Sequence, residues 1–253
     1  MSYLNTAPLV WGMLHGAQEG LFDLDFQVPS ECARRLASRA ADIGIVPSIE
    51  LTRQDLEIIP GAGIASHGAV RSILLVARRP VAAIRTLAAD EGSRTSVELA
   101  RVVLERRYGV APEIFSHPPD LDAMLAAADA ALLIGDSALR VDPAHAIYTV
   151  LDLGTEWTAM TGLPMVFAVW AGRPGLITPE VTEAFLASCR FGRANLEDIT
   201  VREAPARHLP LDLVREYLER NVINELGPVE DRGMRLFFEY AASSTFSRPG
   251  ASL

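Results

Sequence analysis

The sequence predicts a two-lobed α/β protein in which one lobe is discontinuous along the chain. The prediction rests on an early alternation of strand and helix patterns, on two similar apolar runs, and on a self-contained α/β segment between those runs. The runs at 72–77 and 165–171 have the continuous apolar character of strands buried on both faces, and Arg-Pro follows each. Because about 90 residues separate them, we interpret them as two crossings between lobes.

The first lobe begins with alternating short elements. Its pattern predicts a very short strand at 3–4, a helix that begins near Pro8, a strand at 24–28, a helix that begins at Pro29 and a buried parallel strand at 43–46. A turn between the first strand and its helix lies at the carboxyl end of a strand, where open α/β sheets bind ligands.

The middle segment reads as a small domain of its own. The predicted strands are 86–89, 113–115, 130–134 and 147–151, and the predicted helices are 97–108 and 121–127. After residue 171 the pattern is helical, at 179–189, 211–224 and 231–242, with no convincing strand. We therefore predict one lobe from residues 1–80 and 165–253, an inserted lobe at 81–164, two hinge crossings and a ligand cleft between the lobes.

Composition excludes several classes of function. The chain has 253 residues, 49% of them hydrophobic, with a net charge of -9 and a pI near 5.1. It can bury a sizeable core, and it lacks the basic surface that general binding to nucleic acid or acidic membrane needs. All 23 basic residues are Arg. The absence of Lys excludes a Schiff-base lysine, a pyridoxal-phosphate lysine and a Walker-type phosphate loop.

The sequence offers no metal, redox or export motif. Cys32 and Cys189 lie far apart without CxxC spacing, and the five His residues show no ligand spacing. We expect metal-independent chemistry in a reducing compartment. No N-terminal segment reads as a signal peptide and no apolar run is long enough to cross a membrane, so we expect a cytoplasmic protein.

Two helix starts carry candidate site residues. Asn5 falls in the turn ahead of Pro8, where it is either a helix cap or a polar group facing the cleft. In the stretch 92–98, Thr95 and Glu98 have capping-box spacing, and a helix that opens there presents free N–H groups to an anion. Arg94, Thr95 and Ser96 would complete a carboxylate or phosphate cradle; the alternative is a plain cap beside a solvated Arg.

Other candidates lie at further strand ends. Gly135 and Asp136 follow the strand at 130–134, and Asp136 is interpreted as a general base, a ligand to a substrate hydroxyl or a helix N-cap. Arg71 and Ser72 stand at the first crossing, as a cation and a hydroxyl at the hinge, although a surface salt bridge would also explain Arg71. Asp42 and Glu50 flank the strand at 43–46, and we assign them solvated structural roles.

The ordered set of motifs resembles the chorismate dehydratases of the futalosine route to menaquinone. The resemblance spans residues 2–171 and rests on Ser-Tyr-Leu-Asn at 2–5 with Pro-Leu at 8–9, and on the stretches 42–50, 70–72, 93–96, 133–136, 161–164 and 167–170. It implies a periplasmic-binding-protein type II-like fold. It also implies cofactor-independent loss of water from chorismate, a dicarboxylate, to give 3-[(1-carboxyvinyl)oxy]benzoate.

The resemblance also implies residue roles. Asn5 would hydrogen-bond the leaving hydroxyl or orient the enolpyruvyl arm, because an amide does not titrate usefully. The cradle at 93–96 with Arg94 would hold one carboxylate, and Ser72 would face it across the hinge. The base is not evident; we hypothesise that the substrate's own side-chain carboxylate takes the proton, with Asp136 as the protein alternative.

Two other functions remain open at this stage. A non-enzymatic solute-binding protein for a small carboxylate would share the fold, although such proteins are normally exported or tethered. The related 1,4-dihydroxy-6-naphthoate synthase is a weaker match, because its first motif differs from Tyr-Leu-Asn and its histidine has no matched position here.

Overall fold

The computed structural model describes residues 3–144 and 146–244, so Met1, Ser2, His145 and the last nine residues lie outside it. The helices in these ranges are α1 (Ala7–His15), α2 (Pro29–Ala37), α3 (Thr95–Tyr108), α4 (Leu121–Ala127), α5 (Gly135–Leu139), α6 (Leu153–Thr161), α7 (Pro179–Ala194), α8 (Leu196–Ala206), α9 (Leu211–Glu216) and α10 (Pro228–Ser243). The strands there are β1 (Ile43–Pro47), β2 (Glu57–Ser66), β3 (Ile73–Ala77), β4 (Thr86–Asp90), β5 (Glu113–His117), β6 (Ala130–Ile134), β7 (Thr149–Asp152), β8 (Met165–Gly172) and β9 (Ile223–Glu225).

The strands of the described ranges form two sheets, one for each lobe. In the first, with order β1-β8-β2-β9, all neighbours are antiparallel and β8 is buried along its whole length. Helices α1 and α7 pack against each other beside this sheet. Gly192 of α7 lies so close to Pro8 that an added Cβ would stand 1.9 Å from the Pro8 carbonyl oxygen, so only glycine permits this approach.

The second sheet has the order β5-β4-β6-β3-β7. Strand β4 runs parallel to both β5 and β6, whereas β3 runs antiparallel to β6 and β7. Every residue of β3 and β6 is buried, which explains their uninterrupted apolar sequences. Because β4, β6 and the helix starts that follow them share one edge of the sheet, polar residues at those starts are brought together.

The predicted crossing strands do not cross between lobes. Strand β3 pairs over its full length with the second sheet, and β8 pairs over its full length with the first. The chain passes between the sheets in the short segments 67–72 and 162–164 that precede these strands. The predicted lobe boundaries stay predictions, and the pairing of β3 favours a first boundary before Ile73 rather than after Pro80.

The two crossing segments are held side by side. Gly68 N donates to Thr158 Oγ1 at 2.8 Å, and the same hydroxyl donates to the Leu163 carbonyl oxygen at 3.4 Å. The Asp152 carboxylate accepts from the backbone N–H groups of Val70 and Arg71 at 3.0 and 2.6 Å. Helix α6, which Asp152 caps, therefore fixes the backbone of the hinge.

Arg71 lies at the hinge, as predicted, and its side chain contacts backbone carbonyl groups of the second lobe. Its φ is +64°, and its guanidinium donates to the carbonyl oxygens of Ala138, Leu139 and Val141 at the end of α5. Carbonyl groups at a helix C-terminus lack partners within the helix, and the half-buried guanidinium of Arg71 supplies them. Arg71 thus fastens the hinge to the second lobe.

Several local predictions are wrong. Residues 24–28 are irregular, and a 3₁₀ turn at Leu4–Thr6 replaces the first strand. Strand β1 is antiparallel to β8, its neighbour in the sheet, rather than parallel to a neighbour. The helical stretch predicted at 211–224 ends in a π-helical turn at Tyr217–Asn221 and then in strand β9. No helix of the described ranges is both long and apolar enough to cross a membrane.

Candidate functional site

A cleft with a cavity volume of about 50 Å³ lies between the two sheets. One wall comes from the first lobe and the other from the segments that begin β3 and follow β4 and β6. The described residues that line it are Tyr3, Asn5, Pro29, Pro47, Ile64, Ser72, Ile73, Gly92, Ser93, Arg94, Thr95, Ser96, Ile134, Gly135, Phe167 and Ala168.

The structure brings together nearly all of the predicted site residues. Asn5, Ser72, Gly135 and the cradle at 94–96 all line this cleft, although they come from four separate segments of the chain. They meet because the turns that follow β4 and β6 and the start of β3 lie at one edge of the second sheet, and the N-terminal turn faces that edge. Their roles toward a ligand stay predictions.

Asp136 is the exception, because it does not line the cleft. Its Oδ1 accepts a hydrogen bond from Leu4 N at 3.1 Å, and its Oδ2 forms an ion pair with Arg207. It is also not the N-cap of α5, since Ile134 holds that position. Asp136 instead ties the start of α5 to the N-terminal turn that carries Asn5.

Asn5 is half-buried in the turn ahead of α1. Its side-chain oxygen accepts from Thr6 Oγ1 at 3.4 Å, and no side-chain cap forms on the 3₁₀ turn or on α1. The buried amide of Asn224 in β9 holds the Asn5 carbonyl oxygen at 3.5 Å and the Gly63 carbonyl oxygen at 3.1 Å. The helix-cap interpretation of Asn5 is therefore wrong, and the residue lines the cleft.

The start of α3 lacks the predicted capping box. The N-cap is Arg94, without a side-chain hydrogen bond to the helix, and Thr95 is the first helical residue. The Thr95 hydroxyl instead accepts from Ile49 N at 3.2 Å, across the cleft in the first lobe. The free N–H groups of this uncapped helix therefore remain available to an anion. Beside them the Ser93 hydroxyl is buried and has no hydrogen-bond partner.

Glu50 is buried rather than solvated, so the prediction for this residue is wrong. Arg94 Nη1 lies 3.0 Å and Arg53 Nη1 3.3 Å from Glu50 Oε1, and Gln54 donates to Oε2 at 2.7 Å. Burial alone would raise the pKa of Glu50, but the Gln54 hydrogen bond and the two guanidinium groups together lower it. Arg94, the predicted carboxylate ligand, thus already holds one carboxylate of the protein. Asp42 is exposed and pairs with Arg173, as the solvated interpretation predicts.

Tyr3 lines the cleft, and the position of its ring explains why residue 135 is a glycine. Its ring covers Gly135, where an added Cβ would lie 2.6 Å from ring carbon Cδ1, and Gly135 has φ +59°. Both the space and the backbone conformation therefore require glycine. Burial raises the pKa of Tyr3, and the carboxylates of Asp90, Asp136 and Glu91 raise it further. The phenol is neutral and can donate a hydrogen bond.

Asp90, at the end of β4, is a residue of the site that the sequence patterns did not identify. It is 3% exposed, its Oδ1 accepts from Gly92 N at 2.9 Å, and its Oδ2 has no partner. Burial raises its pKa, and backbone hydrogen bonds oppose this only in part. The carboxyl shapes the turn that presents Gly92 and Ser93 to the cleft. An Asp at a strand end, two residues before Gly92, was the available signal.

We expect Asp90→Asn to stabilise the protein near neutral pH. Because the folded-state pKa of Asp90 is raised, its contribution to the free energy of unfolding is full at low pH and is lost as the pH rises through that pKa. Asn keeps an acceptor for Gly92 N and cannot ionise. The melting temperature of the variant should exceed that of the wild type at pH 7, and the gain should shrink toward pH 4. A gain that grows on acidification would contradict this assignment.

The described ranges contain no group of three or more His, Cys, Asp and Glu side chains placed to hold a metal ion. The cleft offers hydroxyl, amide and guanidinium donors instead. Such donors suit an anionic organic ligand.

Comparison with known proteins agrees with the motifs. The model of the menaquinone biosynthesis family matches residues 1–243. The chain belongs to this family. Chorismate dehydratase from Thermus thermophilus is 33% identical to this family member over 237 residues, which cover 85% of the chain and 84% of the relative.

Solved structures confirm the predicted fold class for this menaquinone biosynthesis family member. A protein from Archaeoglobus fulgidus superposes with a TM-score of 0.70 at 20% identity and covers 95% of this chain and 94% of its own. The periplasmic aliphatic sulphonate binding protein from Escherichia coli gives a TM-score of 0.63 at 17% identity, with 94% and 88% covered. The fold is the two-lobed periplasmic-binding-protein type II-like fold.

Proposed function

We propose that this protein is a chorismate dehydratase, a carbon–oxygen lyase that removes water from chorismate to give 3-[(1-carboxyvinyl)oxy]benzoate on the futalosine route. Family membership and the relative of that name support the proposal. The observation that carries it is the chemistry of the cleft. Neutral hydrogen-bond donors, one guanidinium and apolar walls line it, and no lining residue in the described ranges carries a carboxylate or an imidazole.

This lining suits a small dianion with an unsaturated ring. The uncapped start of α3, the Ser93 hydroxyl and the outward face of Arg94 can hold one carboxylate. Ile64, Ile134 and Phe167 provide apolar surface for the ring. Asn5 and Ser72 then face the remaining polar groups, the leaving hydroxyl and the enolpyruvyl arm.

The elimination needs little chemistry from the protein. A ring C–H bond breaks, its electron pair becomes a ring double bond, the hydroxyl leaves, and the proton and hydroxide form water. Aromatisation supplies much of the driving force, so positioning of the reacting groups is the main task of the site. With no carboxylate or imidazole among the described lining residues, the substrate's own side-chain carboxylate is the proposed base, and no cofactor is required.

The Asp136→Asn variant tests whether the base is the substrate's own carboxylate or the carboxylate of Asp136. We expect it to lower turnover by less than about tenfold, because a partly buried ion pair contributes about 1 kcal/mol and Asn still accepts from Leu4 N. Steady-state kinetics with chorismate would measure the turnover of the variant. Asp212→Asn, which removes an exposed partner of Arg215, is the control. Abolished turnover with unchanged affinity for chorismate would assign the base to Asp136.

The function is tested by incubating the purified protein with chorismate. The expected result is an aromatic product lighter than chorismate by one water, detected by absorbance and mass. Binding without turnover would instead favour the solute-binding alternative, whose fold is the same. The cytoplasmic location stays a prediction.

A further inference from the structure

Tyr217 contacts the candidate site from outside the cleft. Its side chain is 1% exposed, and its Oη donates to Ser72 Oγ at 2.8 Å. Ser72 lines the cleft, whereas Tyr217 does not. The phenol can therefore affect a bound molecule only indirectly, through Ser72.

The direction of this hydrogen bond determines what Ser72 offers to the cleft. A hydroxyl has one hydrogen to donate and two lone pairs to accept with. Since Tyr217 donates to Ser72 Oγ, the Ser72 hydrogen is left for an acceptor in the cleft. Burial raises the pKa of Tyr217, so the phenol keeps the proton that it donates to Ser72.

The backbone around Tyr217 is held in an uncommon form. Residues Tyr217–Asn221 make a π-helical turn between α9 and β9. Val222 N donates to the Tyr217 carbonyl oxygen at 3.2 Å, and Arg193 Nη1 donates to the Leu218 carbonyl oxygen at 2.8 Å. Single π-helical turns are rare and occur frequently at functional sites.

We infer that Tyr217 is a positioning residue, which orients the Ser72 hydroxyl toward a carboxylate or hydroxyl of the bound substrate. It joins the C-terminal helices to the hinge, and in this way fixes a hydroxyl that lines the cleft. The inference rests on the proposed function, since it assigns a purpose to the donors of that site.

A double-mutant cycle tests this inference. Tyr217→Phe should lower kcat/KM for chorismate about two- to tenfold, the loss of one hydrogen bond, and should lower the melting temperature as well. In a Ser72→Ala background, Tyr217→Phe should cause no further loss of kcat/KM, although it should still lower the melting temperature. A purely structural role would instead lower kcat/KM by the same factor in both backgrounds.

Tyr108→Phe is the matched control. It removes a phenol that donates to Glu156 Oε2 at the same 2.8 Å, away from the cleft, and should leave kcat/KM unchanged. Equal losses in the two Ser72 backgrounds, or no loss in the wild type, would overturn the inference. If the wild type binds chorismate without turnover, the proposed function fails, and the cycle is measured on the dissociation constant with the same criterion. A wild type that neither binds nor converts chorismate would overturn both.

Discussion

Replacing Asn5 by alanine is expected to lower the turnover of chorismate about a hundredfold, with a much smaller change in affinity. Asn5 lines the cleft and its side chain caps no helix, so its amide can serve the leaving hydroxyl or the enolpyruvyl arm. A donor aimed at charge that develops during the reaction contributes more to turnover than to binding. Steady-state kinetics and calorimetric binding of chorismate would measure the two effects separately.

The fold should tolerate the Asn5→Ala change. The contact that anchors this turn, from Asn224 Nδ2, is made to the Asn5 backbone carbonyl and survives the substitution. Asn195→Ala is a suitable control, because the exposed Asn195 side chain bonds only the Phe191 carbonyl oxygen among the contacts described. Near-normal turnover by Asn5→Ala with unaltered binding would remove Asn5 from the reacting centre.

Glu50→Gln should destabilise the protein by about 2 kcal/mol at pH 7. The change removes a buried carboxylate that is bonded to Arg94, Arg53 and Gln54, and hydrogen bonds to charged groups contribute about 1.5–3 kcal/mol each. Both Arg side chains are more than one third exposed and can be solvated again, which keeps the loss well below that of an isolated buried charge. For a chain of this size we expect the melting temperature to fall by roughly 4–8 °C.

The loss of stability caused by Glu50→Gln should become smaller as the pH falls. The folded-state pKa of Glu50 is lowered, so its contribution to stability is full above the unfolded-state pKa of about 4.5 and is lost as the pH falls through the folded value. Wild type and Glu50→Gln should therefore differ by a constant amount from pH 7 to about pH 5.5 and converge at lower pH. Thermal unfolding across this range would measure it.

Glu183→Gln provides the control for Glu50. It breaks an ion pair with Arg190 in which both side chains are more than half exposed, and such pairs contribute little. Its melting temperature should stay close to that of the wild type at every pH. A Glu50→Gln difference that widens on acidification would show that the carboxyl is held protonated instead.

The predicted elements were most accurate where local patterns are strong. The limits of α4 and β6 are those predicted, because a buried strand and its flanking helix are set by short-range periodicity and by Gly or Asp at their ends. The N-terminal strand was wrong because two β-formers do not make a strand without a neighbour to pair with. Strand β9 was missed because it is three residues long and depends on pairing with β2.

The amino-acid sequence alone was enough to establish the fold class and the segments that face the cleft, since turns at the ends of buried strands carry the polar residues. What those residues meet depends on the tertiary structure. Arg94 meets Glu50, Asp136 meets Arg207 over 71 residues of chain, and Ser72 meets Tyr217 over 145. Periodicity encodes which side of an element is buried, but a hydrogen bond or ion pair depends on the distance between side chains from elements remote in sequence.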